Sequence, residues 1–148
     1  MRIMFGKVNS GATYQEKIYD FWIHGKTQSG KSIVLYDDGF DLRKYEGKLM
    51  KCLILAFMAQ KINPKEENKE LDPYHPIING QYMGEYEVPE EWLECDDDLN
   101  LEGYHGVQTT DGIFLLEPTD LQGISIEKGE EIIITVGRLD LLAWLPIE

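Results

Sequence analysis

Gly25-Lys26-Thr27-Gln28-Ser29-Gly30-Lys31-Ser32 is the stretch on which the fold turns. It spells G-x-x-x-x-G-K-S, the phosphate-binding P-loop pattern. As a P-loop it needs a parallel-sheet strand before it and a helix after it, so that the helix N-terminus and the loop amides cradle phosphate. The chain would then be a nucleotide-binding enzyme using Gly25, Gly30, Lys31 and Ser32. As a polar turn between two strands, the same residues belong to a mainly β protein.

The residues after the stretch favour the turn. Ser32-Ile33-Val34-Leu35-Tyr36-Asp37-Asp38-Gly39 is β-branched and aromatic, has no helical period, and is broken by Asp-Gly within two turns of helix. The residues before it also read as a strand. In residues 17–24, Tyr19, Phe21 and Ile23 fall on one face, and Ile18, Asp20, Trp22 and His24 on the other. Further on, residues 49–58 are apolar at nearly every position except Lys51, which predicts a strand with both faces covered. The chain lacks the strand–helix alternation of an α/β fold.

Working outward, residues 1–16 read as a mixed lead-in and residues 60–75 as a long exposed connection. Asn79-Gly80 between apolar residues is a hairpin signal. Pro89-Glu90-Glu91-Trp92-Leu93 predicts one short helical turn. Residues 103–109, 113–116, 131–136 and 139–145 are strand candidates, with a turn or bulge at Gly137-Arg138. The expected fold is one domain over residues 1–148, mainly β with little helix, an antiparallel barrel or sandwich.

Two regions echo one another. His24-Gly25, a polar turn, Ile33-Val34-Leu35-Tyr36-Asp37 and Asp41-Leu42 are matched by His105-Gly106, a polar turn, Ile113-Phe114-Leu115-Leu116-Glu117 and Asp120-Leu121. Each series ends in an apolar strand. The expectation is a pseudo-repeat of two three-stranded units, over about residues 17–59 and 98–138.

Composition narrows the function classes. The 148 residues are 43% hydrophobic and 28% charged, which excludes wholesale disorder. No apolar run approaches a membrane span, and residues 1–7 lack a signal-peptide core. Cys52 and Cys95 make no disulfide framework, and a cytoplasmic location is expected. The net charge of −13 is unevenly spread. Residues 1–61 hold 10 Lys and Arg against 6 Asp and Glu, and residues 62–148 hold 4 against 21. That disfavours nucleic acid as a partner of the C-terminal part and fits a basic protein surface.

Candidate sites are few. Asp96, Asp97 and Asp98 form an acidic loop. With Asn100 they begin an EF-hand spacing that fails at Leu101, where Gly belongs, and at Val107, where Glu belongs. His24 and His105, at matching places in the echo, are the one candidate acid–base pair. Tyr82 and Tyr86, near Trp92, suit a protein-binding surface. Arg43, Lys44, Lys48 and Lys51, with Tyr36, Phe40 and Tyr45 interleaved, resemble the chemistry of a single-strand-binding face. No nucleophile elbow, zinc motif or cofactor signature is present. The leading expectation is a non-enzymatic binding protein, of inhibitor or immunity type, whose acidic part engages a basic partner. The alternatives are a P-loop enzyme and a single-stranded nucleic-acid binder.

Overall fold

The residues on either side of the 28–31 turn are both strands, and they pair antiparallel from Phe21↔Asp37 to Lys26↔Ser32. The computed structural model describes residues 1–11, 13–18, 20–62, 72–95, 100–120 and 125–147, the side chains of 93–95 excepted. Among them the strands in chain order are β1 (Arg2–Ser10), β2 (Thr13–Tyr14), β3 (Lys17–Ile18), β4 (Phe21–Thr27), β5 (Ser32–Asp37) and β6 (Leu49–Phe57). They continue with β7 (Gln60–Lys61), β8 (Ile77–Glu85), β9 (His105–Thr109), β10 (Gly112–Leu116), β11 (Glu131–Thr135) and β12 (Arg138–Pro146). One helix, α1 (Glu90–Cys95), and a 3-10 turn at Arg43–Tyr45 complete them. The expected mainly β barrel with little helix is what forms.

Five strands close a barrel. β1 pairs with β4, β4 with β5, β5 in parallel with β12, β12 with β6, and β6 back to β1. A second ring of pairings keeps the same order. β8 pairs with β9, β9 with β10, β10 in parallel with β6, and β11 back to β8. β7 resumes β6 after two residues and pairs with β11, completing the ring. Each ring therefore takes one strand from the run that ends the other. Residues 49–61 and 131–146 form the shared antiparallel ribbon, with Leu139 opposite Ala56 and Leu141 opposite Ile54.

The apolar run at β6 is explained by its place. Met50, Cys52, Ile54 and Ala56 enter the cluster that fills both rings, alongside Ile3, Phe5, Ile23, Leu35, Val107 and Leu116. Leu53 and Leu55, on the opposite face, pack under Trp92 of α1 with Leu101, Leu115 and Ala143. A strand buried on both faces cannot alternate apolar and polar residues.

Two expectations need correction. Residues 1–10 are not a lead-in but a nine-residue barrel strand. A register shift between Phe5 and Val8 breaks the alternation that would have revealed it. Asn79-Gly80 is not a hairpin turn, because β8 runs straight through it. A Cβ on Gly80 would stand 2.4 Å from the Gln108 carbonyl oxygen, so glycine here permits close strand approach. Within the 60–75 connection the described residues are 60–62, which begin with β7, and 72–75, where Pro73 accepts a hydrogen bond from the Val34 amide at 2.9 Å.

Ile54 is fully buried within both rings, so Ile54→Ala should destabilise the whole protein by about 2–5 kcal/mol. Urea unfolding should show a lower midpoint, a single transition and an unchanged slope. A slope that falls, or a split transition, would show that the rings do not share one core.

Candidate functional site

The Gly-Lys-Ser stretch turns its polar groups onto its own chain. Gly30 adopts φ 91°, the left-handed conformation a tight turn requires. The Thr27 amide donates to the Lys31 carbonyl at 2.9 Å, and the Lys31 amide donates to Thr27 Oγ1 at 3.1 Å. Lys31 Nζ donates to the Ile77 carbonyl at 2.7 Å. Ser29 donates from its amide and from Oγ to the two carboxylate oxygens of Asp111, each at 2.8 Å. Asp111 belongs to the β9–β10 turn, so the two turns that echo in sequence are tied together. With β5 next in the chain and no helix N-terminus at Ser32, the backbone cradle of a P-loop is missing at residues 25–32.

This network moves two ionisations. Burial lowers the Lys31 ammonium from its ordinary value, and nearby Asp111 partly opposes that. For Asp111, burial acts to raise the carboxyl. The hydrogen bonds from the Ser29 side chain and amide outweigh it, with help from Thr27 and Lys31, and hold the pKa below the ordinary value.

The two histidines do not meet. His24 lies on the outer face of β4, opposite Val34, with its ring edge-on to Tyr74 at 5.9 Å. His105 shares a face with fully buried Val107, and its Nδ1 is hydrogen-bonded to the Tyr82 hydroxyl in the second ring. One points out of its ring and the other in, so they form no acid–base pair. His24-Gly25 also lies within β4 rather than at a turn. Tyr82 is 8% exposed and belongs to the core, which removes it from any docking surface. Cys52 is free and buried, and burial pushes its thiol up to about 12. Among the described residues, no group of three or more His, Cys, Asp or Glu side chains converges to hold a metal ion.

Tyr86 keeps a place at a surface. It lines a cleft of about 610 Å³ between the end of β8, the start of α1 and the turn at residues 100–103. Glu85, Glu87, Glu90 and Glu102 line the same cleft above buried Leu101, and no described lining residue is Lys or Arg. None of the four glutamates forms an ion pair among the described residues. Asp96, Asp97 and Asp98 lie outside the described residues. Sequence reading named the tyrosine and missed these glutamates, although all of them lie within the acidic 85–102 stretch.

The basic residues singled out from sequence have partners of their own. Arg43 pairs with Asp41 at 2.5 Å, and Lys51 pairs with Glu91 and sits over the Trp92 ring. Lys44 and Lys48 both lie over Tyr45. No described helix is long and apolar enough to cross a membrane. No family model, curated protein or solved structure matches the chain.

Because the Asp111 pKa is depressed in the folded state, its stabilising contribution is complete above the ordinary value of 3.8. It is lost as pH falls through the lower, folded value. Asp111→Asn should therefore cost about 1 kcal/mol near neutral pH, with the penalty vanishing in acid. Melting curves recorded from about pH 7 down to about pH 2 check this. Parallel curves at every pH would contradict it.

Proposed function

We propose that this is a non-enzymatic interaction protein that engages a basic protein surface through the acidic side of its second ring. The observation that carries the proposal is the cleft at Glu85, Glu87, Glu90 and Glu102, where four carboxylates without ion-pair partners among the described residues surround Tyr86. Carboxylates that are not neutralised within their own chain keep their field for a partner. The tyrosine adds the amphipathic contact area that binding hot spots favour. A row of carboxylates also resembles a phosphate backbone in charge, so the partner chemistry fits a nucleic-acid-handling protein restrained by an inhibitor or immunity-type chain. Asp96–Asp98 extend this acidic stretch in sequence. A buried free thiol at Cys52 suits the reducing cytoplasm.

We also infer that the two rings are copies of one four-stranded unit, with halves near residues 1–62 and 77–147, wider than the echo at 17–59 and 98–138. The matching order of pairings supports this. On this view the copies exchanged their last strands and then diverged in charge.

Quantitative pull-down in about 50 mM and about 1 M salt tests the function, because exposed charges are screened beyond roughly 3 Å at the higher value. Strongly basic proteins should bind at low salt and elute at high salt, and Glu87→Lys/Glu90→Lys/Glu102→Lys should lose them. Partners indifferent to both salt and charge reversal would reject the proposal.

A further inference from the structure

The outer face of the first barrel carries a surface of opposite character. A groove of about 440 Å³ runs over Met4, His24, Lys26 and Ser32 and is bounded by Pro73. It continues into a second hollow of about 180 Å³ lined by Arg2, Gln28 and Leu49, with Met4 and Lys26 lining both. None of the described lining residues in either part is Asp or Glu, in a chain with 27 of them. Neither Arg2 nor Lys26 has an ion-pair partner among the described residues. Met4, at the join, is 46% exposed and gives an apolar floor. Beside the groove stands an aromatic row. Tyr74, itself exposed, is edge-on to His24 and lies 5.8 Å from Trp22, which in turn lies 4.9 Å from Tyr36.

We propose that this groove binds a short stretch of single-stranded nucleic acid, with phosphates against Arg2 and Lys26 and bases against Met4, His24 and Tyr74. Cations without ion-pair partners among the described residues, beside exposed Tyr74 and half-buried His24, supply the two components of sequence-tolerant single-strand binding. The barrel also argues against an extended acidic peptide. β4 is paired along both edges, to β1 and to β5, so a peptide finds no free strand edge to extend there. It could satisfy the cations but would leave the rings without planar partners. The net charge of −13 misleads if it is treated as uniform. Most of the cations of residues 1–61 lie on the first barrel and its connections, and β12 adds Arg138 and Asp140, which balance. The acidic second ring confines the strand to the first barrel, so the site spans roughly 4 nucleotides, the low end for one small barrel.

Fluorescence anisotropy of the full chain with a dye-labelled oligothymidylate tests the site. Binding should appear at about 50 mM salt and weaken roughly sevenfold by about 200 mM, the slope for two phosphate contacts on a single strand. Arg2→Glu/Lys26→Glu should weaken it at least about tenfold, and Tyr74→Ala by about 5- to 150-fold, the value of one stacked base. Both variants should keep the wild-type urea midpoint within error, which separates loss of the site from loss of the fold. The charge reversal Glu87→Lys/Glu90→Lys should not weaken binding, so this site and the acidic cleft fail or stand separately. No binding at low salt would overturn the proposal, as would equal binding by the Arg2/Lys26 variant. Displacement by oligoglutamate as effective as by unlabelled oligonucleotide would overturn it too, in favour of an acidic peptide.

Discussion

The antiparallel pairing of residues 49–61 with residues 131–146 holds the rest of the molecule in place. Neither ring closes without it, because each borrows a strand that belongs in sequence to the other. The ribbon changes rings at a defined point. Met58, exposed and at φ 55°, bends β6 into β7, while the Gly137 amide donates to the Phe57 carbonyl at 2.9 Å between β11 and β12. A non-glycine residue in the left-handed region persists only where its surroundings over-determine it. Here the fixed pairing on either side of Met58 supplies that constraint.

This frame has two functional consequences. First, the charge asymmetry of the sequence becomes a spatial asymmetry: among the described lining residues, the groove on one ring has no carboxylate and the cleft beside the other has no cation. Second, the hairpin that looks like a phosphate cradle is a seam between the rings. Lys31 and Ser29 tie the first barrel to Ile77 and Asp111 of the second ring, and that work leaves their polar groups committed. The lysine of a P-loop must stay free to reach phosphate. This lysine is drawn inward, and burial lowers its pKa.

Local chemistry was legible in the sequence where each segment carried its own signal. The β-branched run Ile33-Val34-Leu35-Tyr36 disclosed the hairpin, and the unbroken apolar run at residues 49–58 disclosed a strand covered on both faces. Pro89 and the acids after it marked α1. Signals that depend on distant residues were not legible. Gly80 reads as a turn glycine until Gln108 is placed against it. The bulge after Phe5 hid β1 by shifting its alternation. The echo fell on two hairpins, β4–β5 and β9–β10, but set His24 against His105, although the paired strands put them on opposite faces. The cationic groove was invisible for the same reason: Arg2 and Lys26 are joined only by the β1–β4 register, in which Met4 faces Lys26. The acidic cleft was half visible, since Tyr86 stood out but its glutamates looked like ordinary solvated surface.

Native-state hydrogen exchange tests the shared ribbon most directly. If both rings depend on it, the amides of Ile54, Ala56, Leu139 and Leu141 exchange last. Protected amides of β4 and β9, one from each ring, then open with the same free energy as the ribbon, through global unfolding. If β9 and β10 exchange through an opening several kcal/mol cheaper while β4 and β5 stay protected, the rings are separate folding units and the account of a single shared frame is wrong.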